Sequence, residues 1–442
     1  MTSDVNQNIY RRPEELLQNL IRFDTTNPPG NEAECIFYIN GLLTGAGYKT
    51  KLFYKDSNRP NLIASLKGKD TAAPLLLYGH VDVVTTSGQE WTHPPFEGKI
   101  TDGYVWGRGA LDMKGGIAMM LAAFLRAKAE GLTPTGDVVL AILSDEEAGG
   151  ACGAKYLVEN HADEFEGIQY AIGEFGAFVL HMGHKRFYPI QVAEKQLCWL
   201  KATVQGPGGH GSLPMRGGAM AKLAQLLRLL DRHRLPVHIT PTIRQTLTGM
   251  VSNLPFPTSL ILRQLLNPRL TDNLLNLLGE KGRIFDPLLH NTVNATIVRG
   301  GDKINVVPSE IVLEMDGRLL PGYSPGDMIA ELREIIGDEV KLEVVWHEPG
   351  PSEPNMGLLN TLSGILREID PEGVPLPLLL SGVTDARFFS QLGVQTYGFL
   401  PMNLPSDFNF AQSIHAADER IPVDSVRFGS DAIYKLLQHY GG

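Results

Sequence analysis

Val138-Val139-Leu140-Ala141-Ile142-Leu143-Ser144-Asp145-Glu146-Glu147-Ala148-Gly149-Gly150 is the stretch on which the reading of the fold turns. Its apolar run has no polar alternation, as a strand covered on both faces requires, and it leads straight into three acids and a glycine pair. A second such run, Leu75-Leu76-Leu77-Tyr78, ends in Gly79-His80-Val81-Asp82, and Gly115 to Gly131 between them reads as a helix rich in Ala, Met and Leu. That order is α/β logic and predicts a helix-covered sheet. Ligands of open α/β sheets gather at the carboxyl ends of strands, which is where His80 and residues 145–147 fall.

Upstream, residues 13–47 read as an amphipathic helix, the turn Asn27-Pro28-Pro29-Gly30, and a second helix beginning at Glu32. Downstream the pattern changes near residue 190. Strand (196–205), helix (217–233), strand (292–299), strand (309–318), helix (325–336) and strand (340–347) make a β-α-β-β-α-β unit of ferredoxin-like order. Residues 234–290 within it, rich in Leu, Pro and Asn, read as a helical insertion without obvious chemistry. The expected domains are therefore 1–190 and 350–442, forming one discontinuous catalytic domain, and 191–349, inserted into it.

A chain of 442 residues is long enough for two cores. Hydrophobic residues at 43% and charged residues at 20% exclude a disordered or fibrous protein. The net charge of −10, with scattered basic residues, argues against nucleic acid and anionic membrane as partners. No segment approaches a membrane span and the N-terminus has no apolar leader, so the expected location is the cytoplasm. Cys35, Cys152 and Cys198 are too few and too far apart for a disulfide framework or a thiolate zinc site, so a metal here must sit on oxygen and nitrogen.

Such ligands are available. His80 ends a strand, and Asp82 can hold its ring tautomer. Asp112, in Gly107-Arg108-Gly109-Ala110-Leu111-Asp112-Met113-Lys114-Gly115-Gly116, precedes a helix, where an acid is often only an N-cap. Glu146 and Glu147 follow the strand 138–143, Glu174 follows Tyr170-Ala171-Ile172-Gly173, and His415 lies in Ser413-Ile414-His415-Ala416-Ala417-Asp418-Glu419. Two imidazoles and three carboxylates, with one glutamate to spare, suit two Zn²⁺ ions.

In order along the chain, GHVDVV, WTHPPFEG, GRGALDMKGG, SDEEAGG, GHGSLP, NVVPSE, DGRLLPG, SGVTDARFF and SIHAADE resemble the signature of the M20 metallopeptidase and aminoacylase family. That family includes acetylornithine deacetylases, succinyl-diaminopimelate desuccinylases and glutamate carboxypeptidases. The resemblance implies a catalytic domain of the zinc-exopeptidase type with a ferredoxin-like lid and dimerisation domain. It implies that His80 and Glu174 complete one zinc site, that Glu147 and His415 complete the other, and that Asp112 bridges them. Glu146 would be the general base, Asp82 would orient His80, and the Asp112–Met113 peptide would be cis. His210 would reach the active site of the partner in a homodimer, while Asn305 and Arg318 would contact substrate, Arg318 through its carboxylate. Lys195, His93, His184, Arg108 and Arg387 are expected to be structural.

The expected reaction is hydrolysis of an amide in an N-acyl amino acid or short peptide, with two Zn²⁺, or Co²⁺ in their place. Glu174 favours a deacylase or carboxypeptidase over an aminopeptidase or dipeptidase of the same family, by fold-level analogy. A non-catalytic metal-binding homologue is the remaining alternative, against which the spare Glu146 speaks.

Overall fold

The computed structural model describes residues 8–441, so Met1–Gln7, which open both the first expected domain and the segment read as leaderless, and Gly442 lie outside the described residues. The chain divides into two compact units, one of Met1–Val192, Asn355–Leu378 and Thr384–Gly442, the other of Ala193–Pro354 and Leu379–Val383.

The first unit is built on a mixed sheet whose middle is parallel. Val138–Leu143, Leu75–His80, Tyr170–Gly173 and Gln395–Gly398 lie side by side in that order, with antiparallel strands outside them. The two apolar runs are buried along their whole length, as their lack of alternation predicts. Lys114–Ala129 and the C-terminal helix Val423–His439 bury apolar residues, as do Pro13–Ile21 and Leu359–Ile369. A separate apolar cluster joins strand residues such as Leu76 and Ala141 to Leu157, Phe388 and Phe389. Register then sets the site: Leu75 pairs with Val138 and His80 with Leu143, so His80 and the acids after Leu143 emerge at one level. Gly153 closes the acidic loop. A Cβ there would lie 1.8 Å from the Ser144 carbonyl oxygen, so no other residue fits without moving the backbone.

The second helix runs over Ala33–Gly45 with Glu32 as its N-cap residue, and the Glu32 carboxylate accepts from Arg59.

In the second unit, Thr292–Arg299, Glu310–Leu319, Gln196–Gln205 and Lys341–His347 form an antiparallel sheet in that order. Ala219–Arg232 and Pro325–Ile336 pack on one face through Leu223, Leu226, Met328 and Leu332 against Leu200, Ala202 and Leu313. Trp199, Val344 and Trp346 are exposed. Residues 241–289 form the helices Pro241–Asn253, Thr258–Gln264, Pro268–Leu278 and Asp286–Leu289. Buried His290 joins two of them, with Nδ1 3.0 Å from Asp286 and Nε2 3.0 Å from Asp272. Among the described residues no helix is long and apolar enough to cross a membrane.

Candidate metal centre

Asp112 organises the site. Its Oδ1 lies 3.2 Å from His80 Nε2 and its Oδ2 3.2 Å from His415 Nε2, so one carboxylate stands between two imidazoles. Glu174 Oε2 lies 3.3 Å from His80 Nε2, and Glu147 Oε1 lies 3.4 Å from His415 Nε2. Each histidine thus has its own glutamate and a share of Asp112. The helix beyond starts at Lys114 with Met113 as its cap residue and no side-chain cap, so Asp112 is not an N-cap. The Asp112–Met113 peptide is cis.

Both glutamates after Asp145 border this cluster. Ligand atoms of Glu146 fall within 4.8 Å of those of His80 and Glu174, and ligand atoms of Glu147 within the same distance of His80 and Asp112. Of these two glutamates Glu147 also comes within 4 Å of His415, and among the described residues Glu146 makes no ion pair within that distance.

Burial, then Glu174, hold the Glu146 carboxyl well above its ordinary range, and burial likewise raises Glu147 and Glu174. Asp112 and Glu147 push the His415 imidazole up to about 10. His80, although its burial opposes charge, is raised by Asp112, Asp82 and Glu174. A divalent cation held here would offset the carboxylate charge that raises both imidazoles. Glu147 Oε1 is buried without a hydrogen-bond partner, as an oxygen awaiting a cation would be. Imidazole nitrogen and carboxylate oxygen, with no thiolate, suit Zn²⁺.

Asp82 does more than orient His80. His80 Nδ1 is 3.0 Å from the Asp82 backbone oxygen and 3.4 Å from Oδ1. The Asp82 carboxylate accepts from the backbone N–H of Glu146 at 3.1 Å and of Glu147 at 3.0 Å, and from Asn27 Nδ2 at 2.8 Å. It therefore fixes one ligand and the segment bearing the next, which couples the two halves of the site.

Arg108, expected to be structural, supports the other half. It is buried, donates to Glu419 Oε2 at 2.6 Å, and holds the carbonyls of His415 and Ala416 at 3.1 Å each. Glu419 Oε1 in turn accepts from the Leu111 and Asp112 backbone N–H groups at 2.7 and 3.2 Å. One ion pair therefore ties His415, at a left-handed φ of 61°, to the segment that carries Asp112. An apolar wall of Phe175, Phe178 and Phe410 lines the recess beside Asp112 and Glu174, with Phe178 and Phe410 stacked at 3.9 Å. Asp385 is buried with neither oxygen hydrogen-bonded, and burial pushes it up to about 7.

The remaining expected residues lie in the second unit. His210 is exposed, with Nδ1 2.8 Å from Ser212 Oγ, and its strand pairs with Val306–Val307 so that the Asn305 carbonyl accepts from Gly211. Arg318 makes a two-pronged pair with Asp316 at 2.8 and 2.9 Å. Lys195 is buried and donates to the carbonyls of Pro287 and His290 and to Thr292 Oγ1. His93 packs edge-on against Trp106, Arg387 lies over the Phe388 ring, and His184 is exposed.

A parallel-centred sheet with this cluster at its strand ends defines a metallohydrolase. Residues 76–439 match the model of Peptidase family M20/M25/M40, and the chain belongs to that family; the match contains every motif quoted above. It is 30% identical over 406 residues to "Probable carboxypeptidase S-like 2" of Dictyostelium discoideum, covering 86% of this chain and 74% of that one. It is 28% identical over 392 residues to the Homo sapiens N-fatty-acyl-amino acid synthase/hydrolase PM20D1, covering 85% and 76%. The M20 family metallo-carboxypeptidase Sso-CP2 from Sulfolobus solfataricus shares the fold with a TM-score of 0.68 at 17% identity, over 96% of this chain and 98% of that one.

Proposed function

We propose that this enzyme hydrolyses the amide bond of a small carboxylate-bearing substrate, an N-acyl amino acid or a short peptide read from its carboxyl end, with two Zn²⁺ ions. The observation that carries the reading is Asp112, placed between two imidazoles that each have a glutamate of their own. His80, Glu174 and Asp112 would hold one ion, and His415, Glu147 and Asp112 the other. When bound, the ions lower the pKa of a water toward neutrality and polarise the scissile carbonyl. Glu146, beside these residues and without an ion-pair partner among the described residues, would take a proton from the attacking water and pass it to the leaving nitrogen. Asp82 and the Arg108–Glu419 pair keep the ligands in place.

Two relatives support the substrate class, since one is named as a carboxypeptidase and the other for fatty-acyl amino acids. In both cases the amino acid released carries a carboxylate. Arg318 would grip that group with the two-pronged geometry that it uses on Asp316. Removing either partner of the pair between Arg318 and the substrate carboxylate should cost about 2–5 kcal/mol of transition-state binding, and Arg318→Lys should also be poor, because a point-charge ammonium cannot reproduce the planar fork. Steady-state kinetics on N-acyl amino acids and their carboxamides tests this. The carboxamides should fail with the native enzyme, and cleavage of free-amine amides with N-acyl amino acids untouched would install an aminopeptidase instead.

The second unit would serve as lid and dimerisation domain, donating His210 to the partner's site to hold the tetrahedral oxyanion, with Asn305 beside it on substrate. Mixing His210→Ala with Glu146→Gln should then restore on the order of a quarter of native activity, the statistical share of intact sites in randomly exchanged dimers. A dead mixture in which exchange of subunits is demonstrated would remove the role in trans.

A further inference from the structure

Three consecutive residues, Arg59, Pro60 and Asn61, hold the loop that carries Glu146 and Glu147. The Pro60 carbonyl accepts from Ser144 Oγ at 2.7 Å, and Asn61 accepts from the Ser144 N–H at 3.0 Å while donating to the Cys152 carbonyl at 2.7 Å. Arg59 spans two acids: Nη2 lies 2.7 Å from Glu32 Oε1 and Nη1 lies 2.8 Å from Asp145 Oδ1. The guanidinium side chain is 12% exposed, and both acids are buried.

Asp145 is the pivot of the loop. Its φ of +71° is left-handed, a conformation that an aspartate keeps where hydrogen bonds to its side chain hold it. What holds it is its own carboxylate, which takes Arg59 and Asn27 on Oδ1 and the Cys152 N–H at 2.7 Å on Oδ2. The turn sends the next two side chains to different partners, Glu147 toward His415 and Glu146 toward His80 and Glu174. Asp82 clamps the same two residues by their backbone N–H groups. Of these supports, Arg59 alone brings positive charge to Asp145. Without it, Glu32 and Asp145 would be buried carboxylates lacking a counter-charge, and they would recruit protons or swing out to water.

We propose that Arg59 is a positioning residue: shared between Glu32 and Asp145, it fixes the left-handed turn that separates Glu146 from the ligand Glu147. The inference rests on the dinuclear reading above. Its test is calorimetric titration of the metal-free full chain with ZnCl₂, paired with kcat and KM on a substrate of the native enzyme. In Arg59→Met one zinc equivalent should keep native affinity and the other should weaken by about 10- to 100-fold, as for other groups that orient metal ligands. kcat should fall by a comparable factor with KM little changed, and Arg59→Lys, which keeps the charge but not the fork, should lie between. If the Met variant does not fold, the Lys variant carries the same criterion. Two native-like zinc equivalents with native kcat in a folded variant would overturn the proposal. Equal weakening of both equivalents with a lowered melting temperature would do so too, since that marks a role in the scaffold only. A native protein that binds fewer than two zinc ions would sink the dinuclear reading and this inference with it. Native-like variants of a two-zinc enzyme would remove the inference alone.

Discussion

Glu146→Gln is expected to lower kcat by about 10²–10⁴-fold, the usual contribution of a positioned general base, while both metal ions remain bound. The substitution keeps size and polarity, and no ion pair is lost with it. Its backbone N–H still donates to Asp82, so Glu147 keeps its place. Only the capacity to accept a proton goes. Metal content and turnover measured on one preparation check this, and a variant that loses metal but keeps turnover would mean that Glu146 and Glu147 have exchanged roles.

Asp112→Ala should do the opposite, weakening both metal sites together by more than the roughly 10–100-fold typical of groups that merely support a ligand. The two oxygens of Asp112 face different histidines, so one substitution removes a donor from each half. It also leaves His80 and His415 without the carboxylate that raises both imidazoles. Equilibrium dialysis against Zn²⁺ would show it, and loss of one equivalent with the other untouched would contradict a bridging role.

The parts of this site that could be read from sequence are those where chemistry and local pattern coincide. Val138–Leu143 is apolar on both faces and ends in acids, so strand, burial and ligand position follow together. His80 is legible for the same reason. Asp112 could have been a helix cap on local grounds, and only its distance to both histidines decides the matter. Arg108 and Glu419 were beyond local reading because they meet across 311 positions. Asn27 with Asp145 spans 118 positions, and Arg59 with Glu32 spans 27. Nothing in a window of ten or twenty residues marks such partners. The spacing of His80 and Asp82 likewise could not show that the ring lies nearer the backbone oxygen of Asp82, leaving the carboxylate to hold the Glu146 and Glu147 N–H groups. For the helices between 241 and 289 the sequence yields amphipathic pattern and proline starts but no chemistry, and their buried polar links are structural.

If Asp112 is shared by two metal ions that act with Glu146 on an amide next to a carboxylate, metal content and turnover must rise and fall together. The most direct measurement is zinc content per chain, taken together with hydrolysis of a panel of N-acyl amino acids before chelation, after chelation and after readdition of Zn²⁺. Two ions per chain are expected, with activity abolished by their removal and restored by their return. Full activity in excess chelator, or no zinc bound after loading, would contradict this expectation.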